Sequence, residues 1–437
     1  MTTGAVEAPA TAGPPRRPVA RLARLAARSI PRLLVLLLVA LMTSITAIDT
    51  LTALLIVATL LTLTDRDARV RYRLPLVLPM LAFAVITLGS AAASTDRARA
   101  FYESKHLIPS ALFFIAVNGF ESGAAIRRAL RWFLAAVSLV AVYAVLQTLA
   151  CATSVELPAW VGRALRVKLA ACRELHMFRA KGFFSIYMTL GGSLLIALSL
   201  LLAILALGRR TARLLIPTAL AVTVLGLTYV RNAWLGLAVA IVLLTALTRR
   251  VWLIAPVILA VLITLAVPSV LRTRMLSMLD PQDETARERL YFWDAGRRMV
   301  ADAPLLGLGP GGVHRYYPQY KAPEAGKPRT GHLHNNLIQI AAERGLLGLA
   351  AWLWIWIAFF VSAGRIYGAL PPGRGEDRAL VAGSLAAVAG FLVAGLFEYN
   401  FGDSEVIDLL WVVMAFPFVC SRQARLEAGH ARSPNEA

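Results

Sequence analysis

Apolar stretches broken by short polar runs recur along most of the chain. A helix needs about 20 apolar residues to cross a hydrocarbon core of about 30 Å. Twelve segments qualify, beginning near Leu33, Thr50, Leu74, Lys105, Phe133, Phe183, Leu214, Asn232, Val251, Asn336, Ala379 and Glu405. The first two lie close together, and another pair meets at Arg231 almost without a loop. The pattern predicts an all-α polytopic membrane protein of about twelve transmembrane helices. Residues 1–31, rich in Ala, Pro and Arg, read as a disordered tail, residues 32–421 as one membrane domain, and residues 422–437 as a second tail.

The short polar runs set the sidedness, because Lys and Arg close to helix ends are retained in the cytoplasm. Arg16 to Arg32, the run DRDARVRYR from Asp65, Arg127 with Arg128 and Arg131, GRRTAR from Gly208, Arg249 with Arg250, and Arg374 with Arg378 fall on one face. That face is expected to be cytoplasmic, with both termini on it. The opposite face then carries two long loops, at about 152–182 and 271–335. Within the second, DPQDETARERLYFWDAGRRMVAD has Leu290, Trp293, Met299 and Val300 at helical spacing, which predicts a helix between membrane segments nine and ten.

Composition agrees: 58% of the 437 residues are hydrophobic, and the mean hydropathy is +0.66. The formal charge of +20 raises a nucleic-acid reading, but the cations lie on both membrane faces and no nucleic-acid module is visible. Cytoplasmic cations are accounted for by anchoring to anionic lipid. Cations in the outer loops run against that bias and point to an anionic ligand. Of three cysteines, Cys151 and Cys172 bracket the first outer loop and can pair if that side is oxidising. No Cys/His spacing resembles a zinc site, and no phosphate-binding Gly-Lys-Ser/Thr loop is present.

His334 is the first candidate for chemistry, since an imidazole with a pKa of about 6.5 can accept a proton near neutral pH. If the helix begins here, positions 334, 338, 341, 345 and 348 share a stripe of His, Ile, Ala, Gly and Gly, and the small residues permit close packing. Asn335 can hydrogen-bond nearby groups. Judged alone, His334 reads first as an interfacial or capping histidine, and His332 as loop surface pointing elsewhere. Arg231 lies between two apolar segments, where it anchors at headgroups or binds an anion within the bundle; burying it costs at least about 2.5–3.5 kcal/mol. Arg289, Arg179 and Lys181 read first as surface or snorkelling cations. The run GLGPGG at 307–312 reads as a tight turn or a backbone anion cradle. Among Glu398, Asp403, Glu405 and Asp408, nothing in the sequence singles one out.

Three pieces carry a family resemblance: YVRNAWLGL, then ARERLYFWDAGRRMVADAPLLGLGPGGV, then HNNLIQIAAERGLLG. In this order, with His334-Asn335 followed by Gly345 and Gly348, the chain resembles the O-antigen ligase and polymerase superfamily of bacterial membrane glycosyltransferases. The resemblance implies a GT-C-like, metal-independent, inverting enzyme of the inner membrane with a periplasmic site and no cofactor. For the ligase branch, it implies transfer of O-antigen from undecaprenyl pyrophosphate to a sugar hydroxyl of lipid A-core. His334 would then be the base, and Arg231 and Arg289, with Arg179 and Lys181, would hold the pyrophosphate. Asn335, Gly345 and Gly348 would support them. The alternatives are an O-antigen polymerase and a protein O-oligosaccharyltransferase of the same superfamily. A transporter fits twelve helices, yet it would place ionisable groups at mid-membrane rather than at one face.

Overall fold

The computed structural model describes residues 18–153, 157–169, 172, 178–208, 212–267, 270–277, 280 and 283–432. The expected tail residues 1–17 and 433–437 lie outside them. Among the described residues the regular structure is entirely helical. We label nine long helices: α1 (Pro18–Thr43), α2 (Ile45–Thr62), α3 (Gly123–Ala152), α4 (Tyr187–Leu207), α5 (Arg231–Thr248), α6 (Glu284–Asp302), α7 (Asn336–Ala369), α8 (Gly375–Ala394) and α9 (Ser404–Arg432). All but α6 are long and apolar enough to span a membrane, eight in number. The chain is a multi-pass membrane protein.

Three shorter apolar helices, Val77–Ala93, Ala212–Leu227 and Val251–Ala266, coincide with expected spans. The segment expected to begin near Lys105 is broken into helical pieces at 97–103, 104–110 and 111–119, with Pro109 inside the middle one. Helix α1 already begins at Pro18, so residues 18–31 are helical rather than a disordered tail, and α9 likewise continues to Arg432. The amphipathic pattern that predicts a helix in the second loop is met by α6. Its N-cap is Asp283, whose side chain accepts from the Ala286 amide at 3.0 Å.

Helices α4, α8 and α9 form the centre, and α5 crosses α8 backbone against backbone. A Cβ on Gly236 would lie 2.5 Å from the Gly390 carbonyl oxygen, and one on Gly390 would lie 2.8 Å from that of Gly236. Small residues at such a crossing let helices approach closely where apolar burial alone gives no driving force in lipid. The crossing holds α5 and therefore Arg231, its first residue. Between the preceding helix and α5 the chain turns through Thr228, Tyr229 and Val230, with Tyr229 left-handed at φ 55°. Ala180 donates to the Leu227 carbonyl at 3.0 Å, which brings the end of the first long loop against this turn.

Helix α7 is not straight. At Gly345 the backbone has φ 69° and ψ −177°, a region open essentially to Gly alone. The segment 304–309 fills the break. Leu308 and Gly309 donate to the carbonyls of Ala342 and Glu343 at 2.9 Å each, and Leu346 donates to the Pro304 carbonyl at 2.7 Å. The polar groups released by the bend are thus paired again, as a low-dielectric setting requires. The expected stripe from His334 to Gly348 does not exist, because this bend divides it and His334 precedes the helix.

Candidate active site

The start of α7 is tied to the turn between α8 and α9 by consecutive asparagines. Asn335 caps α7, its side chain accepting from the Ile338 amide at 3.0 Å and donating to the Leu396 carbonyl at 2.8 Å. Asn336 donates through its amide to the Gly395 carbonyl at 2.7 Å and through Nδ2 to Asn400 Oδ1 at 2.7 Å. These bonds place Glu398 beside the histidines. His334 Nδ1 donates to Glu398 Oε2 at 2.9 Å. His332 Nδ1 lies 3.4 Å from Glu398 Oε1, and the two imidazole centroids are 4.2 Å apart. His332 therefore faces the same carboxylate as His334, contrary to its expected place on the loop surface; side-chain direction in a loop is set by contacts that spacing does not encode. The three residues offer ligand atoms within 4.8 Å of one another.

His334 is itself left-handed, at φ 51°, a conformation that costs a non-glycine residue about 1–3 kcal/mol and clusters at functional sites. Phe292 of α6 stacks on its ring, with centroids 5.4 Å apart. Glu398 is almost fully buried. Burial raises its pKa, but the hydrogen bond from His334 and the charges of His334 and His332 outweigh burial and hold it below the ordinary carboxylate value. Burial lowers the His332 pKa against the pull of Glu398.

A cavity of about 490 Å³ opens in front of this group. Its lining includes His334, Phe292, Arg179, Arg231, Arg289 and Lys327, with Glu284 and Glu288 at its border. Four cations against two carboxylates suit an anion. Arg231 donates to Ser277 Oγ at 2.7 Å and to Asp283 Oδ1 at 3.2 Å, so the residue that caps α6 also fixes this guanidinium. Arg289 Nε is buried and has no hydrogen-bond partner among the described residues. Burial depresses the Arg289 pKa, Glu398 pulls it up, and Arg231 lowers it again. Arg179 donates to the Tyr187 hydroxyl and stands over that ring, 4.5 Å from its centroid.

The structure thus brings together four of the expected site residues, His334, Arg231, Arg289 and Arg179, in one cavity. Lys181 is not part of the lining; its amide is held near Gln147 Oε1, which also accepts from Gly182 at 3.0 Å. Gly345 and Gly348 act on the bend rather than on the cavity. Sequence reasoning missed Lys327, which is carried in by a loop whose Gly326 and Lys327 amides donate to Glu288 at 3.3 and 2.9 Å. It also left Glu398 undistinguished from three neighbouring acids. The GLGPGG run binds an anion that belongs to the chain: Gly311 donates to Glu343 Oε1 at 3.1 Å, and that carboxylate also pairs with Arg344 at 2.9 Å. A second cavity of about 300 Å³ shares Arg231, Asn232 and Arg289, but is otherwise mainly apolar, with Leu235, Leu290, Trp293 and Phe397.

Residues 216–353, which include Arg231, Arg289 and His334, match the family model described as O-antigen ligase. That segment is similar to O-antigen ligases. No curated protein matches the chain significantly. The match begins ahead of the α5 arginine and ends beyond the α7 bend, so Glu398, outside the matched segment, joins the site only through the fold.

Proposed function

We propose that this protein is an O-antigen ligase of the bacterial inner membrane, with its active site at the periplasmic face. It would transfer glycan from undecaprenyl pyrophosphate to a sugar hydroxyl of lipid A-core. The observation that carries this reading is the meeting of the His334–Glu398 pair with Arg231 and Arg289 in one cavity. The acceptor oxygen attacks the anomeric carbon, the bond from that carbon to the pyrophosphate oxygen breaks, and the proton passes to His334 Nε2. Glu398 holds the other nitrogen protonated, orients the ring and stabilises the imidazolium as it forms. Attack from the face opposite the leaving group inverts the anomeric configuration.

Arg231 and Arg289 take the charge released on the pyrophosphate through charge-assisted hydrogen bonds, with Arg179 and Lys327 as further cations. The apolar cavity behind the same two arginines suits the first units of the isoprenoid, while the polar cavity suits the sugar. Purified protein given polyprenyl-pyrophosphate-linked glycan and lipid A-core is expected to join the two, and His334→Ala to abolish the product. Wild-type-like transfer by His334→Ala would remove the base assignment. Elongation of the donor without lipid A-core would mark a polymerase instead.

A further inference from the structure

The carboxylate between two imidazoles invites a ligand other than the proton. Tetrahedral zinc has metal–nitrogen distances of about 2.0–2.1 Å and metal–carboxylate distances of about 2.0–2.2 Å, which separates neighbouring ligand atoms by roughly 3.3–3.5 Å. The two Nδ1 to Oε distances are 2.9 and 3.4 Å, to the two different carboxylate oxygens, and one ligand atom from each residue lies within 4.8 Å of the others, so a metal requires side-chain shifts of about an ångström. His332 Nδ1 is buried and, despite its closeness to Glu398, makes no hydrogen bond among the described residues. It is a donor atom aimed at the carboxylate with its lone pair or proton unused. The frame is already held in place. Glu398 Oε1 accepts from the Tyr399 amide at 3.0 Å, His332 is braced through Thr330 at 2.7 and 3.3 Å, and the Leu333 amide is held by Gln339 at 2.8 Å.

We propose that His332, His334 and Glu398 form a binding site for a borderline divalent cation of the zinc class, and that its occupation withdraws His334 from acting as a base. Two imidazoles and one carboxylate suit such a cation, whereas magnesium and calcium prefer all-oxygen shells. Of the three residues, His334 also lines the cavity. A neutral imidazole carries one N–H. Without metal, that proton sits on Nδ1 facing Glu398, and the Nε2 lone pair is free. A metal on Nδ1 moves the same proton to Nε2, with no net proton release, and leaves no lone pair for an acceptor hydroxyl. This second half rests on the proposed function; binding itself does not.

Chelator-treated, full-length protein in detergent is titrated with Zn²⁺ by calorimetry, and with Co²⁺ while recording visible absorption. One Zn²⁺ per chain and intense tetrahedral Co²⁺ bands are expected, undisturbed by Mg²⁺. Glu398→Gln and His332→Asn should each weaken binding by about 10- to 100-fold. Failure to bind, or equal affinity in both variants with unchanged Co²⁺ bands, overturns the site. In the transfer assay, Zn²⁺ should inhibit the wild type reversibly with EDTA, while His332→Asn, compared with its own metal-free rate, resists Zn²⁺. Undiminished transfer by the zinc-loaded wild type overturns the inhibitory half. Absence of transfer in every metal state refutes the ligase reading and leaves the binding result standing.

Discussion

At the scale of single residues, three side chains divide the work differently. His334→Ala should lower kcat by about 10²–10⁴-fold, the span of general base catalysis. Glu398→Gln keeps the shape but gives up the ionised acceptor, so kcat should fall while KM is nearly kept in the purified transfer assay. Arg289→Lys keeps charge but loses the planar fork, and kcat/KM should fall about tenfold or more, equivalent to roughly 1.4 kcal/mol. A pH effect arises next to the site. Asp403 is pushed up from 3.8 to about 7, mainly by burial and despite the hydrogen bond from Thr189 at 2.6 Å. The folded state thus holds this proton more tightly than the unfolded chain, so stability falls as pH rises from about 4 to about 7 and then levels. Asp403→Asn should flatten that slope and raise the thermal midpoint at pH 8, as scored by thermal unfolding in detergent.

At the scale of elements, the bend in α7 is the device that matters. A Cβ on Gly345 would lie 2.1 Å from the Leu305 carbonyl oxygen, and one on Gly307 2.4 Å from the Glu343 carbonyl carbon. Neither neighbour is a flexible side chain, and Gly345 also occupies a glycine-only backbone region. Gly345→Ala should therefore cost about 3 kcal/mol or more, visible as a fall in thermal midpoint. Gly364→Ala, with nothing within 4 Å of its Cβ, is the matched control. The sequence marked both glycines but placed Gly345 on a continuous stripe. A glycine in a helix pattern says that a side chain is missing; whether the helix bends depends on a partner segment able to take up the freed hydrogen bonds. Here that partner is 304–309, some forty positions earlier.

At the scale of the whole molecule, the site is assembled from four regions: the first long loop, α5, the second loop with α6, and the turns flanking α7 and α9. A disulfide between Cys151 and Cys172 closes the first of these, just ahead of Arg179. A cross-link of this loop length is worth about 2–4 kcal/mol in chain entropy. Cys151→Ser with Cys172→Ser should lower the thermal midpoint and raise the KM for the lipid-linked donor, with kcat less affected, as measured by steady-state transfer at varied donor concentration. The rigid crossing of α5 on α8 predicts the opposite for Arg231: its position survives loss of the disulfide.

Hydropathy alone determined that this chain spans a membrane many times, because burying a helix in lipid needs only local apolar length. Local pattern also determined that α6 is a helix and that Arg231 merits notice, since a cation between two apolar segments is costly to bury; Arg289 and His334, bland when judged alone, were marked by the order of the motifs that carry the family resemblance. Only the tertiary structure decided that Lys181 stays out of the cavity, that Lys327 enters it, that His332 turns inward, and that Glu398 rather than its acidic neighbours pairs with His334. Those outcomes depend on hydrogen bonds from Asn335 and Asn336 to a turn some sixty residues away. Composition and spacing carry no record of such distant pairings.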